Sequence, residues 1–164
     1  MTLRFGILTS SDRSSRGERP DLSSPALEKI ITAQGWTVSR TGIVPDDLGV
    51  LRETLSTWAD SGKMDIILTT GGTGFAPRDV TPEATSLVID RLAPGLAEAM
   101  RMESMKVTPH AMLSRGVVGM RGEVLIINLP GSPKAAVENL QVVIPVLVHA
   151  VELLKESPEA EKHH

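Results

Sequence analysis

Short apolar runs alternate with amphipathic, helix-like runs along this chain, and that alternation constrains its fold more than any other feature. Residues 3–9 read as a first strand. Ser24 and Pro25 open a helix with Leu27, Ile30 and Ile31 at helical spacing, which stops at Gly35. Residues 36–44 form a second, less apolar strand. Asp46 or Asp47 then starts a helix with Leu48, Leu51, Leu55 and Trp58 on one face; Gly62 closes it, and residues 65–70 give a third strand. Beyond a three-glycine loop, residues 81–90 are helical, with Thr81 as N-cap and Pro82 at the first helical position. Pro94 begins a further helix, with Leu96, Met100 and Val107 on its apolar side. Strands at 117–120 and 123–128 flank Arg121-Gly122 as a hairpin turn. The last helix follows Pro130-Gly131-Ser132-Pro133, with Val137, Leu140, Ile144, Leu147, Val151 and Leu154 on its apolar face. Pro145 inside that pattern predicts a kink or a break. This order specifies an α/β protein: a three-layer α/β/α sandwich whose mostly parallel sheet carries one antiparallel strand.

A chain of 164 residues suits one domain, here 1–156, with 157–164 as a flexible tail that includes Lys162-His163-His164. Cysteine is absent, which excludes disulfides, thiolate zinc sites and a thiol nucleophile. A net charge of −3, with no Tyr and two Phe, argues against nucleic acid as a partner, which calls for basic stripes and stacking aromatics. No run reaches the ~18 consecutive apolar residues of a membrane span. The amino terminus enters a strand directly, without a signal-peptide layout, so the cytoplasm is the expected compartment.

Ligands of parallel α/β sheets bind beyond the carboxyl ends of the strands. That rule gathers the loops after Thr9, Thr70 and Asn128 on one edge. The second loop, Gly71-Gly72-Thr73-Gly74, has almost no side chains to keep a ligand away, and its N–H groups can converge on an anion. Asp79 lies just beyond, where a carboxylate could hold a cation against a phosphate; a tight strand-to-helix turn with a capping Asp79 is the plain alternative. Asp46 reads either as a helix N-cap, which the local pattern favours, or as a second carboxylate sharing a metal with Asp79. Ser10, Ser11, Asp12 and Arg13 make a polar loop with no chemistry of its own. At the last loop, Gly131 and Ser132 precede a helix N-terminus, a ready anion site, and Lys134 in its first turn is either solvated or facing a phosphate. Arg115, after Ser114, is either a surface arginine or a bidentate phosphate contact. His110 and His149 have no partners at metal-ligand spacing. Met100, Met102, Met105 and Met112 fit the core or a subunit contact better than a cofactor pocket. A Walker A loop, a Rossmann fingerprint and a Gly-x-Ser-x-Gly elbow are all missing.

Taken together, Ser11-Asp12-Arg13, Pro45-Asp46-Asp47, the run from Leu68 through Gly74 and on through Arg78-Asp79-Val80-Thr81-Pro82-Glu83-Ala84, Met112-Leu113-Ser114-Arg115 and Ile127-Asn128-Leu129-Pro130-Gly131-Ser132-Pro133-Lys134 resemble the molybdopterin adenylyltransferases of the Mog family. That family includes the amino-terminal G domain of gephyrin and its plant counterpart. The resemblance covers residues 3–154. It implies a molybdopterin-binding fold assembled as a homotrimer, and transfer of AMP from Mg-ATP to the terminal phosphate of molybdopterin with release of pyrophosphate. A downstream molybdate-insertion protein would take the product. The resemblance implies Asp46 and Asp79 as the catalytic, Mg²⁺-binding carboxylates. It places the glycine loop (Gly71, Gly72, Thr73, Gly74) on the nucleotide, and Ser114 and Asn128 at the substrate site. Ser11, Asp12, Arg115, Pro130, Gly131, Ser132 and Lys134 complete the expected binding set.

The MoaB-like sister group shares the glycine loop, and some members are thought to lack adenylyl transfer. Asn128, with Pro77 and Pro82, places the chain on the Mog or gephyrin side. A carrier that holds product without making it, and a trimeric scaffold module, are the other readings. Both aspartates speak for catalysis, and the scaffold role needs a second self-associating domain.

Overall fold

The computed structural model describes residues 1–156; the expected tail, 157–164, lies outside the described residues. Six strands form one sheet in the order β2-β1-β3-β6-β5-β4. Strands β1 (Arg4–Ser10), β2 (Thr37–Val44), β3 (Ile66–Thr70) and β6 (Val124–Leu129) run parallel. β5 (Val118–Arg121) is antiparallel to both β6 and the two-residue β4 (Arg91–Leu92). β3 and β6 are buried along their whole length, as continuous apolar runs covered on both faces should be.

Successive side chains supply the two faces in turn. Phe5, Ile7, Ile66, Leu68, Leu125 and Ile127 meet α2 (Ser23–Ala33), α5 (Pro94–Met105) and α6 (Pro133–Leu154). Leu8, Ile67 and Ile126 point the other way, onto α3 (Leu48–Asp60) and α4 (Thr81–Val88) through Leu51, Leu55, Trp58, Ala84 and Val88. The expected three-layer sandwich with one antiparallel strand is therefore what forms.

Several boundaries differ from expectation for identifiable reasons. The hairpin turn is Gly122-Glu123, one residue later than the sequence pattern suggests, because Arg121 still pairs with Val124 and Gly122 takes the positive φ (55°). Val107, placed on the apolar side of α5, lies beyond that helix and is exposed. Pro145 neither ends nor interrupts α6. It lies on the exposed side with Gln141, whose orphaned carbonyl can turn to water. By length and mean hydropathy α6 is the one described helix that could cross a membrane. Here its Leu140, Val143, Leu147 and Val151 pack into the core on the sheet. A single-turn helix, α1 (Asp12–Ser15), and β4 carry no apolar periodicity in the sequence.

Candidate active site

β1, β2, β3 and β6 end side by side, at Ser10, Val44, Thr70 and Leu129, so four loops crowd one edge. Pairing continues one residue further: Ser11 N donates to Val44 O at 2.9 Å and Gly71 N to Leu129 O at 3.2 Å. The crowding explains the glycines. Gly71 and Gly72 have φ of +94° and +69°. A Cβ would stand 2.5 Å from Ser10 O at the first and 2.3 Å from Thr81 Oγ1 at the second. At Gly74 it would stand 2.9 Å from Oδ2 of Asp79, so this third glycine makes room for the carboxylate.

The loop forms a wall between two cavities. One, of about 440 Å³, is bordered by Gly71 and Gly72 together with Asp46, Asp79, Ser11 and Gly131. The other, of about 350 Å³, is bordered by Thr73 and Gly74 with Ser114, Asn128, Pro130 and Lys134. Ser132, at the start of α6 and making no capping bond of its own, borders both. The sequence-predicted residues are thus brought together, but onto two sides of one loop rather than into one pocket. Asp12 and Arg115 border neither cavity.

Asp46 does not cap α3. Asp47 does, its carboxylate accepting from Val50 N at 2.9 Å. That releases Asp46 for the cavity, where Oδ1 accepts from the Ser10 hydroxyl at 2.6 Å and Oδ2 from the Asp12 amide at 3.1 Å. Asp79 is held by a turn on itself: its N–H reaches Ala76 O at 2.9 Å, and its Oδ2 accepts from Ala76 N at 3.0 Å. Oδ1 of Asp79 accepts no hydrogen bond among the described residues. Among those residues no three His, Asp or Glu side chains gather into a metal cage. Two carboxylates on one cavity give an all-oxygen donor set that needs further oxygens from elsewhere, a set suited to a hard cation such as Mg²⁺.

Arg115 is committed to the loop rather than left open as a fork. Nε donates to Gly74 O at 2.7 Å, Nη2 to Asp79 O at 2.8 Å, and Nη1 to the Glu83 carboxylate. One guanidinium therefore ties both ends of the Gly74–Asp79 segment. Asn128, 3% exposed, has its amide fully engaged. Nδ2 donates to the hydroxyls of Thr69 and Thr85 at 3.0 and 2.9 Å, and Oδ1 accepts from Val117 N at 3.1 Å. Lys134 is exposed at the second cavity's rim, with a loose 3.8 Å pairing to Glu138. Thr81 is not a cap either: Val80 holds that position, and the buried Thr81 hydroxyl has no partner among the described residues.

Three residues were missed. Ser10 positions Asp46, and Arg101 donates from α5 to the carbonyls of Ser114 and Gly116 at 2.9 and 3.3 Å. Arg78 donates twice to Asp12, at 2.8 and 2.9 Å. Polar and charged side chains in loops and on helices read as solvated, and no local pattern names partners that lie 13 to 66 residues away.

A doubly wound α/β sandwich with cavities on both sides of a glycine loop at its carboxyl edge has the architecture of a small-molecule site in open α/β sheets. More narrowly, the chain belongs to the molybdopterin-binding domain family, whose description, probable molybdopterin binding domain, matches residues 6–149. It is 44% identical over 157 residues to the molybdenum cofactor synthesis protein cinnamon of Drosophila melanogaster, covering 93% of this chain but 26% of that protein. The chain thus spans about a quarter of that larger relative. With the molybdopterin adenylyltransferase of Helicobacter pylori strain J99 it shares 41% identity over 155 residues, covering 93% of this chain and 88% of that one. The solved structure of the molybdopterin biosynthesis enzyme MoaB of Thermus thermophilus superposes with a TM-score of 0.90 at 50% identity, covering 96% of this chain and 99% of that one.

Proposed function

We propose that this chain is a molybdopterin adenylyltransferase acting in molybdenum cofactor biosynthesis. It joins AMP from ATP to the terminal phosphate of molybdopterin and releases pyrophosphate. The observation that carries the reading is the wall between two cavities: a single glycine loop presents Gly71 and Gly72 to the side with both carboxylates, and Thr73 and Gly74 to the other. A transferase must hold two substrates against each other, and this loop can touch both. The carboxylate side takes the nucleotide phosphates; the side with Ser114 and the more apolar lining takes molybdopterin.

In the reaction a phosphate oxygen of molybdopterin attacks the α-phosphorus of ATP. A new P–O bond forms, the bond from α-phosphorus to the bridging oxygen breaks, and pyrophosphate leaves with the electron pair. The attacking phosphate is already ionised, so no general base is needed. The protein's work is alignment and charge neutralisation. Gly72 and the α6 N-terminus offer N–H donors to phosphate oxygens, the Gly71 N–H being taken by Leu129 O, and Lys134 adds a cation at the rim. Asp46 and Asp79 would hold Mg²⁺, which when bound neutralises nucleotide phosphates. The reading includes a homotrimer, for which the exposed Met102, Met105, Val107, Met112 and Leu113 supply apolar surface to bury. It also includes a cytoplasmic location and a downstream molybdate-insertion partner.

A carrier that binds molybdopterin without adenylylating it is the second reading, kept because the chain also resembles the MoaB-like group, which shares the glycine loop. Pyrophosphate release with Mg-ATP and molybdopterin tests the first. Asp46→Ala and Asp79→Ala should each abolish it while leaving the far-ultraviolet spectrum unchanged. Near-normal release from either variant removes that aspartate from the reaction, and none from the wild type favours the carrier.

A further inference from the structure

The two carboxylates come from different loops, and nothing in the strand pairing fixes their separation. The Asp12–Arg78 pair bridges those loops from outside the cavity. Asp12 Oδ1 accepts from the Asp46 amide at 3.0 Å, while the Asp12 amide donates to Asp46 Oδ2 at 3.1 Å, so residues 12 and 46 clasp each other reciprocally. Both Asp12 oxygens also take the Arg78 fork, at 2.8 Å from Nε and 2.9 Å from Nη2. Arg78 immediately precedes Asp79. The loops after β1, β2 and β3 are therefore joined through one carboxylate, in the chain Asp46, Asp12, Arg78, Asp79.

Charge supports the same role. Asp12, Asp46 and Asp47 all lie near enough to Arg78 to act on its guanidinium. Carboxylates crowded at one edge repel one another, and Arg78 supplies the opposing charge. The arginine is 63% exposed, and such solvent-screened surface pairs add little to folding, so the stability of the fold does not depend on it. What the bidentate geometry supplies is direction: two parallel N–H···O bonds fix the angle between loops as well as their distance.

We infer that Asp12 and Arg78 are positioning residues that set the spacing of Asp46 and Asp79 for a divalent cation. The inference rests on the reading of those two aspartates as the Mg²⁺ carboxylates. Asp12, expected from the sequence to contact substrate, is reassigned to this role because its carboxylate is held by Arg78 and the Asp46 amide and borders neither cavity. Removing partners that orient metal ligands costs about 10–100-fold in metal affinity.

The test is ATP binding by calorimetry with and without saturating Mg²⁺, on wild type, Arg78→Gln, Asp12→Asn, the double variant and Asp79→Ala. Mg²⁺ should tighten ATP binding to the wild type and have no such effect in Asp79→Ala. Arg78→Gln and Asp12→Asn should each lose about 10–100-fold of that tightening. Because the pair acts as one unit, the double variant should be no worse than either single one. Melting temperatures should stay within about 2 °C of wild type, as loss of a surface pair requires. If Asp79→Ala loses the Mg²⁺ effect while Arg78→Gln and Asp12→Asn keep it within twofold, the positioning role is wrong and the metal reading stands. If Asp79→Ala keeps the effect, the metal reading itself fails. Additive losses in the double variant, or a large drop in melting temperature, would also overturn the positioning role.

Discussion

Asn128→Ala separates a scaffold role from a substrate role for a residue that borders the second cavity. The Asn128 amide makes three hydrogen bonds: to the hydroxyls of Thr69 on β3 and Thr85 on α4, and from the amide of Val117 beside β5. It thus joins three elements around the cavity. Alanine removes all three at about 0.5–1.5 kcal/mol each, and Val117 N–H loses its acceptor. The total is about 2–4 kcal/mol, at the lower end where water reaches the partly buried Val117. For a chain of this size that corresponds to a fall in melting temperature of about 4–16 °C. Circular dichroism during heating reads it directly. Asn128→Asp keeps an acceptor for Val117, and the two threonine hydroxyls can turn to donate, so it should be milder than alanine. An Asn128→Ala protein melting within about 2 °C of wild type yet losing activity would refute the scaffold argument and return Asn128 to the substrate.

Gly72→Ala forces a positive φ and a 2.3 Å approach to Thr81 Oγ1 on a buried threonine. It should destabilise by about 2–5 kcal/mol, summing left-handed strain and overpacking, as urea unfolding would show. At the opposite edge of the sheet, burial pushes the Asp65 carboxyl up, but hydrogen bonds from Arg4 and Lys155 outweigh it and bring the pKa from 3.8 down to about 2. A carboxyl depressed in the folded state stabilises above its unfolded pKa, so this contribution is full near neutrality and fades as pH falls from about 4 through about 2. The shift corresponds to about 2.5 kcal/mol, reduced to about 1–2 kcal/mol because Arg4 is partly solvated. Urea midpoints across that range should fall less steeply in Asp65→Asn; an unchanged acid slope would contradict the assignment.

How far the sequence could be read depended on how local each feature is. Runs such as Ile66-Ile67-Leu68 need only their own composition to become central strands, and the alternation of strands with helices then determines the sheet edge that carries the loops. Asp46 and Asp47 are both good caps locally. Ser10 and Asp12, more than thirty residues away, draw Asp46 into the cavity and leave Asp47 to cap α3. Arg115 looks like an open phosphate fork until the fold brings Gly74, Asp79 and Glu83 to it. β4 was illegible because two exposed residues carry no apolar pattern; it exists only through its pairing with β5. Nor does the glycine loop reveal that its two halves face different cavities, which follows from α5 and the Pro109–Leu113 turn closing over one side.

The central claim is transfer of adenylate between substrates held on the two sides of one loop. Single-turnover reaction of the wild-type protein with molybdopterin and Mg-ATP, quenched and resolved for the adenylylated dithiolene, tests it most directly. The account predicts that adenylyl-molybdopterin and pyrophosphate appear together in equal amounts. Tight binding of molybdopterin with no adenylylated product, under conditions where the Helicobacter pylori enzyme turns over, would contradict it.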